Sequence, residues 1–223
     1  KNWITFVGKL NKAKGYDVFV NSIKIILNKN PNWKAKIIGD EKREKIFLNH
    51  KNADLLGFLN HEKVIKIFKK TSISIVCSRW EEPFGRTSLE ASANGCAVII
   101  TNKGGLPETI TDARILKHLT TVRLTEEISK LINNKKLRTK LQTQSIKNFY
   151  LTHKFVTKMI DDYRDEKLQL NRVFFTKKNK KSLRILHITN FNERLDGRLF
   201  FNTGRRINNG FIRHGHSVLG FSD

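Results

Sequence analysis

The sequence predicts an α/β fold in which a parallel sheet carries helices on both faces. Short apolar runs alternate with amphipathic stretches along the first half of the chain, and glycines mark the connections between them. Strands and helices that alternate over short links are typical of a parallel sheet covered on both sides. Ligands of such sheets bind outside the carboxyl ends of the strands. The chemistry-bearing motifs are therefore sought directly after the predicted strands.

Each predicted strand is a short apolar run, and most of these runs end at a glycine or a polar loop. Each predicted helix shows apolar residues at spacings of three and four. Gly95 closes one of these helices and fits the left-handed conformation that often ends a helix. In chain order, the predicted strands are residues 3–7, 34–38, 55–56, 73–76 and 97–100, and the helices between them are residues 17–27, 62–69 and 86–94.

The pattern changes at Thr125, after which helical periodicity continues without a strand signal up to Leu170. The lysine-rich stretch that follows, residues 171–183, has the composition of a solvated linker. We expect terminal helices packed on the sheet before this linker, over residues 124–131, 136–149 and 155–168.

A second α/β pattern opens after the linker and is cut short at Asp223. About forty residues cannot close a hydrophobic core alone. The chain also begins directly before a strand and without methionine, which predicts a fragment that lacks sequence upstream. The pattern comprises a strand at residues 183–189, a loop with Gly197, a helix around 199–213 and a strand at 217–221. The expected domains are thus an α/β domain over residues 1–170, the linker 171–183 and an incomplete second domain over 184–223.

The net charge of +23 over 223 residues attracts anions. It leaves three interpretations open: a general lysine bias combined with a phosphate-bearing ligand, attraction to an anionic membrane surface, or binding to nucleic acid. Cys77 and Cys96 lie in apolar runs, which predicts buried reduced thiols and a cytoplasmic protein. No stretch approaches the about 20 apolar residues of a membrane-spanning helix.

The first candidate motif follows the first strand and ends at Lys14-Gly15. Gly8 lets the backbone come close to a ligand, and Lys9 and Lys14 lie in the loop behind it. Loop amides in front of a helix N-terminus favour a phosphate. A lysine about 4 Å from a phosphate charge gains about 1 kcal/mol in water and about 4 kcal/mol in a partly screened cleft. The alternative is an ordinary surface loop in a lysine-rich protein.

The second motif places two carboxylates, Glu82 and Glu90, between a strand and a helix. Gly85 and the N–H groups of Arg86 and Thr87 would form the N-terminus of that helix, which is an anion site made by the backbone. Carboxylates accept strong hydrogen bonds from vicinal hydroxyls. The motif therefore suits a ligand with hydroxyls at both ends and phosphate in the middle, such as a nucleotide sugar. The alternative is that Glu82 caps the helix and Glu90 pairs with a nearby cation.

A third motif, from Asn102 to Ile110, follows the strand at residues 97–100. Its double glycine frees the backbone, and Pro107 suits the first turn of a short helix. This motif alone indicates only a turn before a helix.

Together, in this order, the three motifs resemble the C-terminal, donor-binding domain of retaining GT-B glycosyltransferases of family 4, or glycosyl transferases group 1. The resemblance covers roughly residues 3–170 and implies a Rossmann-like parallel sheet. It depends most on the segment E-P-F-G-R-T-S-L-E at residues 82–90. The tail, with R-I-L-H-I-T at 184–189 and R-H-G-H-S-V at 213–218, is similar to the start of spore-maturation-like glycosyltransferase N-terminal domains.

The resemblance implies that Lys9 and Lys14 contact the donor diphosphate. The family usually has arginine where this chain has Lys9, and lysine keeps the charge but loses the bidentate geometry. Catalytic roles are implied for Glu82 and Lys14. The resemblance further implies that Glu82 and the amides of Phe84 and Gly85 bind the sugar hydroxyls. It implies that the amides near Arg86 and Thr87 bind phosphate and that Glu90 binds the ribose. Gly8 would lie in the donor-binding loop, and the base would be bordered by the turns at Gly39, Gly57 and Phe58.

The resemblance also implies glycosyl transfer from a nucleotide-diphosphate sugar with retention, without a cofactor or a tightly held metal. The sequence has no Asp-x-Asp metal signature, which agrees. In this family the acceptor site belongs to the N-terminal domain, so these residues are expected to bind donor but to transfer poorly. The acceptor is expected to be a saccharide or a lipid-linked saccharide in polysaccharide biosynthesis, with peripheral contact to the inner membrane face.

Two other functions stay open on the sequence alone. A basic nucleic-acid-binding module would bind with a steep salt dependence. However, the basic residues are spread along the chain and no nucleic-acid motif is present, so we expect no nucleic-acid partner. The other alternative is a non-catalytic remnant that scaffolds a partner protein.

Overall fold

The computed structural model describes residues 1–174, 182–189 and 203–221, with the backbone alone for residues 168–174 and 203. Contacts divide the chain into one unit up to Thr157 and another from Lys158, earlier than the expected boundary after Leu170. The linker lysines at 177, 178, 180 and 181 and the loop with Gly197 lie outside the described residues.

Six parallel strands form the sheet of the first unit. They are β1 (Trp3–Val7), β2 (Lys34–Ile38), β3 (Ala53–Leu55), β4 (Ile73–Val76), β5 (Ala97–Thr101) and β6 (Ala113–Leu116). Their order across the sheet is β3-β2-β1-β4-β5-β6. The connections therefore run to one side from β1 and to the other from β4, which opens a crevice at the carboxyl ends of these two neighbours.

Helices cover both faces of this sheet. They are α1 (Tyr16–Lys29), α2 (His61–Phe68), α3 (Arg86–Ala93), α4 (Thr121–Asn133) and α5 (Lys135–Lys147). Helix α6 (His153–Phe174) begins at the end of this unit. On one face, Ile4 and Ile75 belong to a core cluster with residues of α1 and α4. On the other face, Val98 and Ile100 pack with residues of α2 and α3. This arrangement confirms the predicted fold class.

Strand β6 is absent from the strands that the sequence predicts. β6 lies at the edge of the sheet, and of its four residues only Leu116 is buried. Arg114 within it forms a bidentate ion pair with Glu127 of α4, at 2.6 and 2.9 Å. An edge strand with a charged side chain shows neither an apolar run nor clear alternation, so periodicity does not reveal it.

The second unit contains α6 from Lys158 onward and a small parallel pair of strands. The strands are β7 (Arg184–Ile188) and β8 (Ser217–Phe221), and α7 (Thr203–Arg213) precedes β8. The helix α6 continues to Phe174, past the predicted end at Leu168. Within the described ranges, no helix is both long enough and apolar enough to cross a membrane.

Candidate functional site

A cavity of about 120 Å³ opens at the carboxyl ends of β1 and β4. These strands are neighbours at the point where the strand order reverses, which is where open parallel sheets bind ligands. The cavity is lined by the predicted site residues Gly8, Lys14, Glu82, Gly85, Arg86 and Thr87, together with Phe6, Val7, Ile75, Val76, Cys77, Ser78 and Leu106.

Lys14 and Glu82 form an ion pair in the lining of this cavity. Nζ of Lys14 donates to Oε1 of Glu82. The lysine side chain is 31% exposed and the glutamate side chain 13% exposed, so both charges are partly screened from water. Charges in such a cleft interact more strongly than charges on an open surface. The first and second motifs therefore contribute one cation and one carboxylate to the same cavity.

Helix α3 begins at the cavity. Its N-cap residue is Gly85, with a φ of 96°, and no side chain caps the helix. A Cβ at this position would lie 2.6 Å from Cδ2 of Leu106, so glycine is needed for close packing as well as for conformation. Glu82 is thus not the cap of this helix, contrary to the alternative noted above. The first N–H groups of α3 lack a side-chain acceptor and carry the positive end of the helix dipole.

Glu90 lies one turn further along α3, outside the lining of the cavity. Its Oε1 lies 3.1 Å from Nε2 of His61 and accepts from Nη2 of Arg86 at 3.4 Å. Both contacts use the same carboxylate oxygen, and the side chain is 21% exposed. Glu90 therefore pairs with nearby basic groups, one of which, Arg86, also lines the cavity.

Three predicted glycines meet at the carboxyl ends of β1, β2 and β3. The N–H of Gly39 donates to the carbonyl of Gly57 at 2.8 Å. A Cβ at Gly39, where φ is 133°, would lie 1.8 Å from the carbonyl oxygen of Gly8, so the two backbones touch. Only glycine permits this approach.

The predicted residues outside the lining of the cavity are Lys9, Gly39, Gly57, Phe58, Phe84 and Glu90.

The third motif supports the backbone of the second. The N–H of Gly105 donates to the carbonyl of Glu82 at 2.7 Å, and a Cβ at Gly104 would lie 2.3 Å from the same oxygen. Glu81 accepts from Nζ of Lys103 at 2.7 Å and from the N–H of Gly104 at 2.5 Å. The hydrogen bond from Lys103, followed by that from Gly104, lowers the pKa of Glu81. Glu81, for which the sequence reasoning assigned no role, thus ties the two motifs together.

The wall of the cavity includes a thiol that stays protonated. Cys77 follows β4, and burial raises the pKa of its thiol to about 12. Its Sγ donates weakly to the carbonyl of Gly15 at 3.4 Å. Cys77 and Cys96 are both free and buried, as predicted from their apolar surroundings. Among the residues that the structure describes, no group of three or more histidine, cysteine, aspartate or glutamate side chains could hold a metal ion.

Fold and site together define an α/β protein whose cavity, at the reversal of its sheet, presents a lysine, a carboxylate and a helix N-terminus. The chain belongs to the glycosyl transferases group 1 family, whose sequence model matches residues 1–148. This match confirms the family resemblance that the three motifs indicate, and it covers the whole six-stranded sheet.

Curated relatives and solved structures agree with this family. An uncharacterized glycosyltransferase of Methanocaldococcus jannaschii is 33% identical over 146 residues, or 61% of this chain and 40% of the relative. The C-terminal domain of a group 1 glycosyltransferase (LpcC) from Francisella tularensis is 26% identical, with a TM-score of 0.59 over 66% of this chain and 83% of that domain. Anabaena Alr3699/HepE, solved with UDP and glucose, shares the fold at 17% identity, with a TM-score of 0.60 over 76% of this chain and 48% of its own.

The chain spans about a third of the length of its curated relatives. The shares range from 29% to 40% of each relative. The similarity thus concerns only one part of each relative.

Proposed function

We propose that the six-stranded domain binds a nucleotide-diphosphate sugar and serves a glycosyltransferase that acts with retention on a saccharide or lipid-linked acceptor. The observation that carries the proposal is the cavity in which Lys14, Glu82 and the N-terminus of α3 meet. A cation and free amide groups suit a diphosphate. A carboxylate beside them suits sugar hydroxyls.

Lys14 and Glu82 are the catalytic residues in this proposal. Lys14 and the N-terminus of α3 stabilise the negative charge that develops on the departing diphosphate, which is electrostatic catalysis by groups already in place. Glu82 and the amides of Phe84 and Gly85 orient the sugar. No metal or other cofactor is required for this arrangement, because the positive charge comes from the protein.

The nucleoside would lie outside the cavity lining in this proposal. Glu90 holds the ribose hydroxyls, and its second carboxylate oxygen is available because both of its contacts use Oε1. Gly39, Gly57 and Phe58 border the base, since their turns follow β2 and β3 on the Gly8 side of the sheet. Lys9, which is exposed, adds a second cation near the diphosphate.

The comparisons support this proposal at the level of the family. Anabaena Alr3699/HepE, which shares the fold, was also solved with UDP-glucose, which is the kind of donor that we propose here. We place the reaction in the cytoplasm because both cysteines are free and buried. Polysaccharide biosynthesis, with peripheral contact to an anionic membrane, is the setting that the charge of +23 favours.

Calorimetric titration of the full 223-residue chain with UDP, GDP and ADP and their sugars tests the proposal. We expect saturable binding of one nucleotide class and a loss of about tenfold or more for Lys14→Ala, equivalent to about 1.4 kcal/mol. Lys29→Ala is the matched control, because Lys29 is exposed in the last turn of α1 and does not line the cavity. Equal affinity of wild type and Lys14→Ala would contradict the assignment. Steeply salt-dependent duplex binding without nucleotide binding would favour a nucleic-acid module instead.

A further inference from the structure

The loop that carries Lys14 is held by a side chain to which the proposed function gives no role. Arg79 follows β4 and forms a bidentate ion pair with Asp17, with Nη1 and Nη2 donating at 2.6 and 2.8 Å. Nη1 also donates to the carbonyl of Lys12 at 2.6 Å. A single guanidinium therefore connects the end of β4 with the loop before Lys14 and with the first turn of α1 behind it.

The main chain at Arg79 grips the same loop. The carbonyl of Ala13, which precedes Lys14, accepts from the N–H of Arg79 at 2.8 Å and from the N–H of Trp80 at 3.2 Å. On the other side of Lys14, a Cβ at Gly15 would lie 1.9 Å from the carbonyl oxygen of Cys77. The loop is thus seated on the chain that leaves β4.

A second support reaches Lys14 through Asn11. Asn11 is 8% exposed, and its Oδ1 accepts from the N–H of Lys14 at 3.1 Å while its Nδ2 donates to Glu41 at 2.9 Å. Glu41 is itself held by Arg43. Asn11 fixes the backbone of Lys14 from the β2 side, whereas Arg79 fixes it from the β4 side.

We propose that Arg79 is a positioning residue, which holds the Lys12–Asp17 segment so that Lys14 is presented in the cavity in one place. The proposal rests on the proposed function. A lysine side chain loses substantial rotamer freedom when it binds a phosphate, and a loop that also moves adds to this loss. A loop that is already ordered before binding loses less entropy when the ligand binds, so the diphosphate binds more tightly than it would to a mobile loop.

Arg79 lies outside the cavity lining, and its Nη1 and Nη2 are engaged by Asp17 and by the carbonyl of Lys12. Its effect on a ligand therefore passes through Lys14 and should depend on the phosphate that Lys14 contacts. A nucleoside monophosphate lacks the second phosphate group and depends less on this lysine. Loss of positioning should thus weaken a diphosphate more than the matching monophosphate.

The experiment compares Kd values for UDP, GDP and ADP with those for UMP, GMP and AMP, on the full chain. For the nucleotide that wild type binds best, we expect Arg79→Met to lose about tenfold on the diphosphate and less than about twofold on the monophosphate. Arg79→Lys should recover part of the loss, because lysine keeps the charge without the two parallel hydrogen bonds. Asp17→Asn, which keeps Arg79 but removes its charged partner, should follow Arg79→Met.

Arg114→Met is the matched control. It also breaks a bidentate arginine–carboxylate pair, formed by Nε and Nη2 with Glu127, on elements that do not line the cavity. It should lower the melting temperature and leave both Kd values unchanged. The melting temperature of each Arg79 variant also shows whether it is folded at the temperature of the Kd measurement. If Arg79→Met is not folded there, Arg79→Lys or Asp17→Asn replaces it.

Equal losses on diphosphate and monophosphate would overturn the inference, because they indicate a general structural role. Unchanged affinity in both Arg79→Met and Asp17→Asn would overturn it as well. If Lys14→Ala weakens diphosphate binding while the Arg79 variants do not, this inference alone fails. If wild type binds none of the nucleotides, the proposed function fails first, and the positioning role falls with it.

Discussion

Lys14 and Glu82, which are 68 positions apart in the chain, form an ion pair in the lining of the cavity at the carboxyl ends of β1 and β4. Each member of the pair is a candidate contact for a different part of the donor. Under the proposed function, a diphosphate competes with Glu82 for Lys14, and sugar hydroxyls compete with Lys14 for Glu82. Binding of a complete donor therefore exchanges one internal pair for two external contacts, and the two variants of the pair should have different effects.

Glu82→Gln should separate the sugar from the nucleotide. Glutamine has nearly the same shape but no charge, so Lys14 is released and the nucleoside diphosphate should bind equally well or up to about twofold more tightly. The nucleotide sugar should lose about tenfold, since hydrogen bonds to a charged group contribute about 1.5–3 kcal/mol. Titration of the diphosphate and its sugar against both proteins measures the difference. A parallel loss on both ligands would show that Glu82 does not read the sugar.

Glu90 predicts a dependence on the ribose hydroxyls. Wild type should prefer a ribonucleoside diphosphate over its 2′,3′-dideoxy analogue by about tenfold, and Glu90→Ala should remove most of this preference. His61→Ala is the control, because it removes one of the groups within hydrogen-bond distance of the carboxylate but keeps the carboxylate itself. If Glu90→Ala keeps the preference for ribose, then Glu90 serves only its contacts with Arg86 and His61.

The candidate site could be predicted from the sequence where its geometry is local. Glu82, Gly85 and Glu90 lie within nine residues, and a glycine at the start of a helix after a strand has a recognisable pattern. Gly8 and Lys14 follow a strand in the same way, and neighbouring strand ends bring these motifs to one edge of the sheet. Asn11 also carries a local signal, as an N-cap three residues before Lys14.

Contacts between distant residues gave no such signal. Asp17 and Arg79 are 62 positions apart, and the sequence does not show which carboxylate one arginine among many basic residues pairs with. Glu81 stands beside Glu82 in the sequence, yet it contacts Lys103 and Gly104 instead of the cavity. Such pairings depend on which loops the fold brings together, and a period or a spacing along the chain carries no information about them.

Gly15→Ala should be strongly destabilising, and Gly57 provides the matched control. Both glycines have a positive φ, 70° and 65°, so alanine costs about 1–2 kcal/mol of conformational energy at either site. A Cβ at Gly15 would also lie 1.9 Å from the carbonyl oxygen of Cys77, whereas at Gly57 nothing lies within 4 Å. We expect Gly15→Ala to lose at least about 3 kcal/mol of unfolding free energy in urea. Equal losses of unfolding free energy at Gly15 and Gly57 would mean that the loop around Gly15 shifts to accommodate the added Cβ at little cost.

The stability of the chain should fall in acid partly through Glu41. Hydrogen bonds from the N–H and side chain of Arg43, and from Asn11, lower the pKa of Glu41 from 4.5 to about 2. Because the pKa of Glu41 is lower in the folded state than in the unfolded state, the stabilisation is complete above about pH 4.5 and is lost as the pH falls towards 2. Glu41→Gln should flatten this part of the curve of unfolding free energy against pH. A variant whose curve still falls in parallel with wild type would show that Glu41 does not contribute.

Cys77 offers a direct chemical report on the cavity. Burial raises the pKa values of Cys77 and Cys96 to about 12, and only the thiolate attacks thiol reagents at a useful rate. At pH 8 we therefore expect the native chain to react at least about a hundredfold more slowly than the chain in urea.

Only Cys77 lines the cavity, so a bound nucleoside diphosphate should protect the two thiols differently. Global stabilisation by a ligand slows both reactions equally, because both then require the same unfolding. Cys96→Ala isolates Cys77, and Cys77→Ala isolates Cys96, which is buried against Phe68 on the opposite face of the sheet. The ligand should slow the reaction of Cys77 in the first variant by more than it slows Cys96 in the second. Equal protection would place the bound nucleotide somewhere other than the carboxyl ends of β1 and β4.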